Sequence, residues 1–204
     1  MGMESHTVWI IGGALVTYGL FRCWYVGFGK RVSPELRDRM KLAMEELGIP
    51  EFQRRNVLQF LERDDGKDFV MVNLMELKEP RAESRKKLTA YSQIFLGSLL
   101  RRAGHPVALA TAASGKIESV NVSPEWDWEA AFLVRYRSRT DFAEVMLETL
   151  GSEHHGLKLD ALARTLAFPA APWSLIGGPR ILVPLVIALL ATSALYISAL
   201  YTGA

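Results

Sequence analysis

Hydrophobic positions fall along this chain in three rhythms. From Thr7 to Phe28 nearly every position is apolar (TVWIIGGALVTYGLFRCWYVGF), and from Ile181 to Tyr201 none is charged (ILVPLVIALLATSALYISALY). Between these ends, short runs of strand formers alternate with stretches in which apolar residues return every three or four positions. Some twenty residues at about 1.5 Å rise cross a hydrocarbon core of about 30 Å, so the end segments predict transmembrane helices over 7–28 and 181–201. Trp9, Trp24 and Tyr25 suit the interfacial aromatic belt, and Arg22 lies near enough to the end to snorkel towards Lys30 and Arg31. The rival reading of the first segment, a cleaved signal peptide, lacks its basic leader: Glu4 and His6 precede the apolar run, and the positive charge follows it. The rival for the second, a buried core helix, predicts a polar face that the segment lacks. Pro184 is expected in the first turn of that helix.

Residues 33–65 read as a helical juxtamembrane linker. Ser33-Pro34-Glu35 combines a capping serine, a proline at the first helical position and an acid at the positive end of the dipole. Leu36, Met40, Ala43, Met44 and Leu47 form one stripe that Gly48 ends, and a second short helix is predicted from Pro50 to Arg63. This pair is expected to be a collar packed on the main domain, the alternative being a docking surface at the bilayer.

The main domain is predicted over 68–170. Phe69–Leu77 (FVMVNLMEL) is a strand, Ser84–Arg102 a helix with Leu88, Tyr91, Ser92, Phe95 and Leu99 at helical steps, and Val107–Ala112 a second strand after the Gly104-His105-Pro106 break. Ala130–Tyr136 is a third strand. Thr140 is expected to cap a helix carrying Phe142, Val145, Met146 and Leu150, and Thr165–Phe168 to close the domain before Pro169. The fold class is therefore α+β. The order βαββαβ is the ferredoxin-like unit, here flanked by one transmembrane helix at each end.

Composition narrows the function classes. With 24 Lys and Arg against 22 Asp and Glu the charge nearly balances, which implies no basic face for nucleic acid. The single cysteine, Cys23, excludes an intrachain disulfide framework and a cysteine-based zinc cluster. Basic residues flank the interior of the sequence: Lys30, Arg31, Arg37 and Arg39 after the first apolar segment, Arg180 before the second. The positive-inside rule then assigns residues 29–180 to the cytoplasm and both termini to the other side. Small residues (Gly12 and Gly19; Ala188, Thr192 and Ala199) permit close helix packing, with each other or with a membrane-protein partner.

The VNLMELK run, the helix bearing Tyr91, the AGHP turn, the LVRYRSRTDF strand-to-helix junction and the late run from His154-His155 through Leu162 to Phe168-Pro169 resemble the dimeric α/β-barrel superfamily. They look most like its small bacterial branch with a tyrosine-proline-serine-arginine junction, where this chain has Tyr136-Arg137-Ser138-Arg139. The resemblance covers about residues 68–170 and excludes both apolar ends. It implies a four-stranded antiparallel sheet with both helices on one face, a homodimer of paired sheets, a cavity between sheet and helices, and an inner-membrane location once the end helices are added. It spans oxygenases, isomerases, haem-handling enzymes and binding proteins, so it does not fix a reaction.

Candidate chemistry follows from polar residues on apolar elements. Asn73 alternates with Met71 and Met75, and Arg135 with Leu133 and Ala131, so both are expected to line the cavity or to pair structurally. His105 and Arg135 are the candidate catalytic residues, His105 as general base or haem ligand. Asn73, Tyr91, His105, Arg135 and Tyr136 form the candidate ligand-binding set, and Trp126 and Trp128 add aromatic surface. Glu153, His154 and His155 look metal-like, but adjacent histidines on a helix diverge by about 100°, and no metal site is predicted. No cofactor is expected, haem being the alternative that His105 raises. Nucleotide-binding and serine-hydrolase motifs are absent from the sequence. Two functions remain: a membrane-anchored accessory or scaffold protein with a dimerising cytoplasmic domain, and a membrane-tethered binding protein, oxygenase or isomerase acting on a lipophilic substrate.

Overall fold

The computed structural model describes residues 2–150, 154–171 and 178–202, with 2–4, 154, 155 and 202 described by backbone alone. The chain divides into two units, one of the two terminal segments and one of residues 28–172.

In the terminal unit, α1 (Gly2–Val26) and α7 (Pro179–Thr202) pack against each other. Both are long and apolar enough to cross a membrane. The Gly178 carbonyl accepts from the amides of Ile181 and Leu182 at 2.9 and 3.1 Å and so starts α7 ahead of the expected position. As a result Pro184 lies in the second turn of α7, inside the helix, rather than in its first turn. An added Cβ at Gly12, Gly13 or Gly19 would meet open space, so the small-residue face of α1 is not filled by α7.

The second unit is α+β, built on a four-stranded antiparallel sheet. Its elements run α2 (Pro34–Glu46), α3 (Glu51–Glu62), β1 (Phe69–Leu77), α4 (Arg81–Arg101), β2 (His105–Thr111), β3 (Ala130–Tyr136), α5 (Arg139–Leu150), α6 (His154–Ala161) and β4 (Leu162–Ala170). The strand order is β2-β3-β1-β4, with β1 between β3 and β4. Strands β1 and β3 have the bounds their composition predicts. Strand β4 is longer than expected and holds Pro169 within it, opposite Met71. An edge strand tolerates a proline because its missing donor need not serve a neighbour. Helix α6 was not expected from the sequence. The cap of α5 is Ser138 rather than Thr140: Ser138 Oγ accepts from the Asp141 amide at 3.0 Å, whereas Thr140 Oγ1 donates to the Lys30 carbonyl at 3.4 Å.

Register fixes the two faces of the sheet. Phe69 opposes Tyr136, Met71 opposes Val134 and Asn73 opposes Phe132, so these six share a face. The sheet residues of the main core, Phe69, Met71, Phe132, Val134 and Tyr136, come from that face and pack with Phe95 and Leu99 of α4 and with Phe142, Val145 and Met146 of α5. The other face carries Val70, Val72 and Leu74, opposed by Arg135, Leu133 and Ala131 and, on β4, by Ala170, Phe168 and Leu166. Leu166 and Phe168 are 47% and 45% exposed.

The collar belongs to the same core. Ser33 Oγ accepts from the Leu36 amide at 3.2 Å with Pro34 at the first position, as predicted, and this sets α2. Leu36, Met40 and Met44 are buried with Leu61 of α3. Phe60 of α3 meets Phe69 edge-on at 4.9 Å and Phe142 at 5.9 Å, while Phe69 stacks on Tyr136 at 5.2 Å. Such pairs contribute about 0.5–1.5 kcal/mol each beyond the area they bury. Collar and sheet domain are thus one folded body, not a linker followed by a domain.

Two loops cross where the chain enters this body. A Cβ on Gly66 would stand 2.8 Å from the Gly29 carbonyl oxygen, and Gly66 has φ of +74°. Gly48 has a similar φ of +63° but open space around it. Gly66→Ala is therefore expected to cost roughly 2–4 kcal/mol, from strain plus overpacking, and Gly48→Ala about 1 kcal/mol, from strain alone. Denaturant unfolding of the two variants checks this, equal losses being the outcome that rejects the crossing.

Candidate functional site

The five predicted ligand residues do not meet in one place. Arg135 lies on the face opposite Asn73 and Tyr136, because three positions separate it from Phe132, the partner of Asn73, and alternation places odd separations on opposite sides. Sequence alternation gave each residue its neighbours within a strand, but register decides the face across strands. The expectation of one cavity lined by both Asn73 and Arg135 is corrected accordingly.

Asn73, His105 and Arg135 also each have a local partner. Arg135 is wholly buried; its Nε donates to Asp68 Oδ2 at 2.8 Å and its Nη1 to the Ala103 carbonyl at 2.9 Å. It thereby joins β3 to the segment before β1 and to the turn after α4. That turn is tight: a Cβ on Gly104 would stand 2.9 Å from the Arg135 carbonyl oxygen and closer still to Leu99. Asn73 Nδ2 donates to the Phe132 and Met71 carbonyls at 3.0 and 3.3 Å. His105 opposes Arg135 in the ladder, and its Nδ1 donates to the Pro106 carbonyl at 2.8 Å. Tyr136 is a core residue, 4% exposed, and burial pushes its phenol up.

The junction that carries the sequence resemblance is a series of arginine–aspartate pairs. Arg135 holds Asp68. Arg137 donates from Nε and Nη2 to the two carboxylate oxygens of Asp141 at 2.9 and 2.7 Å, and Ser138 Oγ donates to the same carboxylate at 2.7 Å. Arg139 lies near Asp64 and Asp65 at 3.7 and 3.5 Å, with its guanidinium 4.3 Å from the centre of the Phe60 ring. Asp64 in turn accepts from the amides of Val32 and Gly66 at 2.8 and 2.9 Å. These contacts organise the collar and β3–α5 rather than a ligand. Arg137 is accommodated by Asp141, and that carboxylate and burial act on its guanidinium in opposite senses, the carboxylate prevailing.

One grouping was not foreseen. Tyr91 of α4 stacks on Phe95 at 5.9 Å, and the Lys158 ammonium of α6 lies 5.8 Å from the Tyr91 ring centre. Burial drives the Tyr91 phenol up to about 12, with a hydrogen bond involving Thr149 opposing it. The signal in the sequence was Lys158 three and four positions before Ala161 and Leu162, both buried, on a helix too short to show periodicity. His154 and His155 lie on this helix, but their side chains and Glu153 are outside the described residues. Among the described residues no three His, Cys, Asp or Glu side chains gather as metal ligands would. Trp126 and Trp128 meet edge-on at 6.3 Å in the β2–β3 connection, Trp126 being exposed.

No protein-family model matches the chain, and no curated protein matches it. Among solved structures it is similar to a protein of unknown function from Rhodopseudomonas palustris, at 18% identity over 59% of this chain and 94% of that one, with a TM-score of 0.49. A structure of that protein in methylated form gives 19% identity over 61% and 94%, also with a TM-score of 0.49.

Two outcomes are expected. Arg135→Ala leaves Asp68 buried without its cation and should cost roughly 3–5 kcal/mol of stability, read by denaturant unfolding; a loss below about 1 kcal/mol would assign the pair no structural weight. Tyr91 is an acid whose folded pKa is raised above the unfolded value of about 10, so the folded state holds its proton longer. Its contribution is intact below pH about 10 and is lost as pH rises towards about 12. Tyr91→Phe should therefore move alkaline unfolding to higher pH, as followed by circular dichroism.

Proposed function

We propose that this chain is a membrane-anchored accessory or scaffold protein. In this reading a ferredoxin-like, dimeric α/β-barrel domain stands on the cytoplasmic side of a bacterial inner membrane, held by helices 7–28 and 181–201. The element order β1-α4-β2-β3-α5-α6-β4 and the strand order β2-β3-β1-β4 support the ferredoxin-like assignment, with α6 as an addition. The basic residues Lys30, Arg31 and Arg180 favour a cytoplasmic placement of 29–180. The uncovered small residues of α1 are compatible with a membrane-protein partner beside the anchor.

The observation that carries the reading is the second face of the sheet. Val72, Leu74, Leu133, Leu166 and Phe168 form an apolar surface there, while the main core draws on the opposite face. An apolar face that the single chain leaves partly open, with Leu166 and Phe168 exposed, is the kind of surface that marks a contact with a partner. A second copy is the occupant proposed, since the same apolar face on each chain is self-complementary about a two-fold axis. The alternative of a lipophilic-substrate enzyme built on Asn73, His105 and Arg135 loses support, because those groups are divided between the two faces and the Arg135 guanidinium is bound to Asp68 and Ala103.

Native mass spectrometry of the full chain, released from detergent, tests the proposal. A homodimer is expected, and Phe168→Glu should convert it to monomer with little change in thermal midpoint, because Phe168 is already 45% exposed in the single chain. A wild-type monomer, or a dimer that survives Phe168→Glu, would reject pairing through this face.

A further inference from the structure

The chain enters the folded body beside a group of cations that the accessory reading does not use. Lys30 and Arg31 come soon after Val26, the last residue of α1, and a step of four residues spans at most about 14 Å. Arg63 and Lys67 stand far along the chain, just past α3. The Gly29–Gly66 crossing brings the two pairs to one end of the body, as does the bond from the Val32 amide to Asp64 Oδ2 at 2.8 Å. All four residues are exposed, and Phe28 beside them is 87% exposed.

The acids at this end are mostly spent within the fold. Asp64 accepts from the Val32 and Gly66 amides, Asp65 accepts from the Lys67 amide at 3.2 Å, and both lie near Arg139. Asp68 holds Arg135. Among the described residues, none of Lys30, Arg31, Arg63 and Lys67 enters an ion pair. Glu62, exposed at the end of α3, offsets one of the four. Glu153 follows the other end of α5: from Thr140, which donates to the Lys30 carbonyl, that helix runs about 15 Å to Leu150. In the sheet domain, by contrast, Arg81, Lys87, Arg102, Arg135, Arg137 and Arg164 each hold a carboxylate.

We propose that this end of the body is a docking face for anionic lipid headgroups, whose phosphates Lys30, Arg31, Arg63 and Lys67 engage together. Each basic residue near an anionic leaflet favours binding by about fivefold, and the exposed Phe28 ring suits the interfacial zone. Two cations after a helix would act as a short tail; four gathered by a loop crossing act as one patch and orient the body. The proposal rests on the membrane-anchored reading above and is independent of the dimer through the sheet face.

The test is lysine footprinting with acetic anhydride on the full chain in lipid nanodiscs, of phosphatidylcholine alone or mixed equally with phosphatidylglycerol. Lys30 and Lys67 are expected to acetylate about fivefold more slowly in the phosphatidylglycerol discs, and salt at about 0.5 M should remove the difference. Lys86 and Lys116 should label alike in both. Arg63→Gln, at an exposed position, should lessen the protection of Lys30 from across the crossing. Equal labelling of Lys30 and Lys67 in the two kinds of disc overturns the proposal and leaves the anchor intact. A chain that enters neither disc rejects the anchored reading, and the proposal with it. Protection of Lys30 alone would confine the effect to residues next to α1, and equal protection of Lys86 and Lys116 would make it one of overall charge; either overturns the docking face. So does protection by inorganic phosphate in phosphatidylcholine discs, which would make the group a small-anion site.

Discussion

Everything in the folded body between the apolar ends hangs on how one buried cation is satisfied. Arg135 lies in the middle of the sheet with no exposed surface, and an isolated charge there would be prohibitive. Asp68 and the Ala103 carbonyl resolve it from two different parts of the chain, one just ahead of β1 and one just ahead of β2. Forming the pair therefore requires the segment before β1, the turn after α4 and strand β3 to be in place together. Such a pair adds little net stability over an apolar replacement, but it penalises every arrangement in which a partner is missing. Here it acts as a check on strand register.

The same logic repeats outward along the alternate residues of the junction. Arg137 stays local, closing the first turn of α5 through Asp141 and Ser138. Arg139 reaches the collar through Phe60 and the loop at Asp64, and Asp64 reaches back to Val32. The path from the end of the first apolar segment into the sheet is thus a chain of ionic and backbone contacts laid over the Phe60–Phe69–Phe142 ring cluster. The exposed pairs among them contribute little each, whereas the ring cluster beneath supplies the burial.

Much of this architecture was legible from sequence because its strongest elements are the most regular. β1 and β3 are runs of strand formers bounded by polar residues, and the cap of α2 is written in Ser33-Pro34-Glu35. What was not legible depended on contacts across the fold. Pro169 reads as a stop, and only the edge position of β4 lets it stay in the strand. α6 is eight residues long and contains Gly156, too short to display a period. Asn73 and Arg135 look equivalent along their own strands, and the register between strands separates them. The contact between Lys158 and Tyr91 was not legible because nothing in the local sequence of Lys158 says that its neighbour will be a ring 67 positions away.

The two rims of the sheet differ from its open face in a way that bears on assembly. Strand β2 breaks its ladder with a register shift between Pro106 and Ala108, and β4 carries Pro169 near its end. Both devices spoil the regular row of donors and acceptors that a foreign strand would need. Growth by adding strands sideways, the route to open-ended fibres, is thereby discouraged at both rims. Neither rim therefore offers the unbroken strand edge on which an open-ended array of sheets could be built.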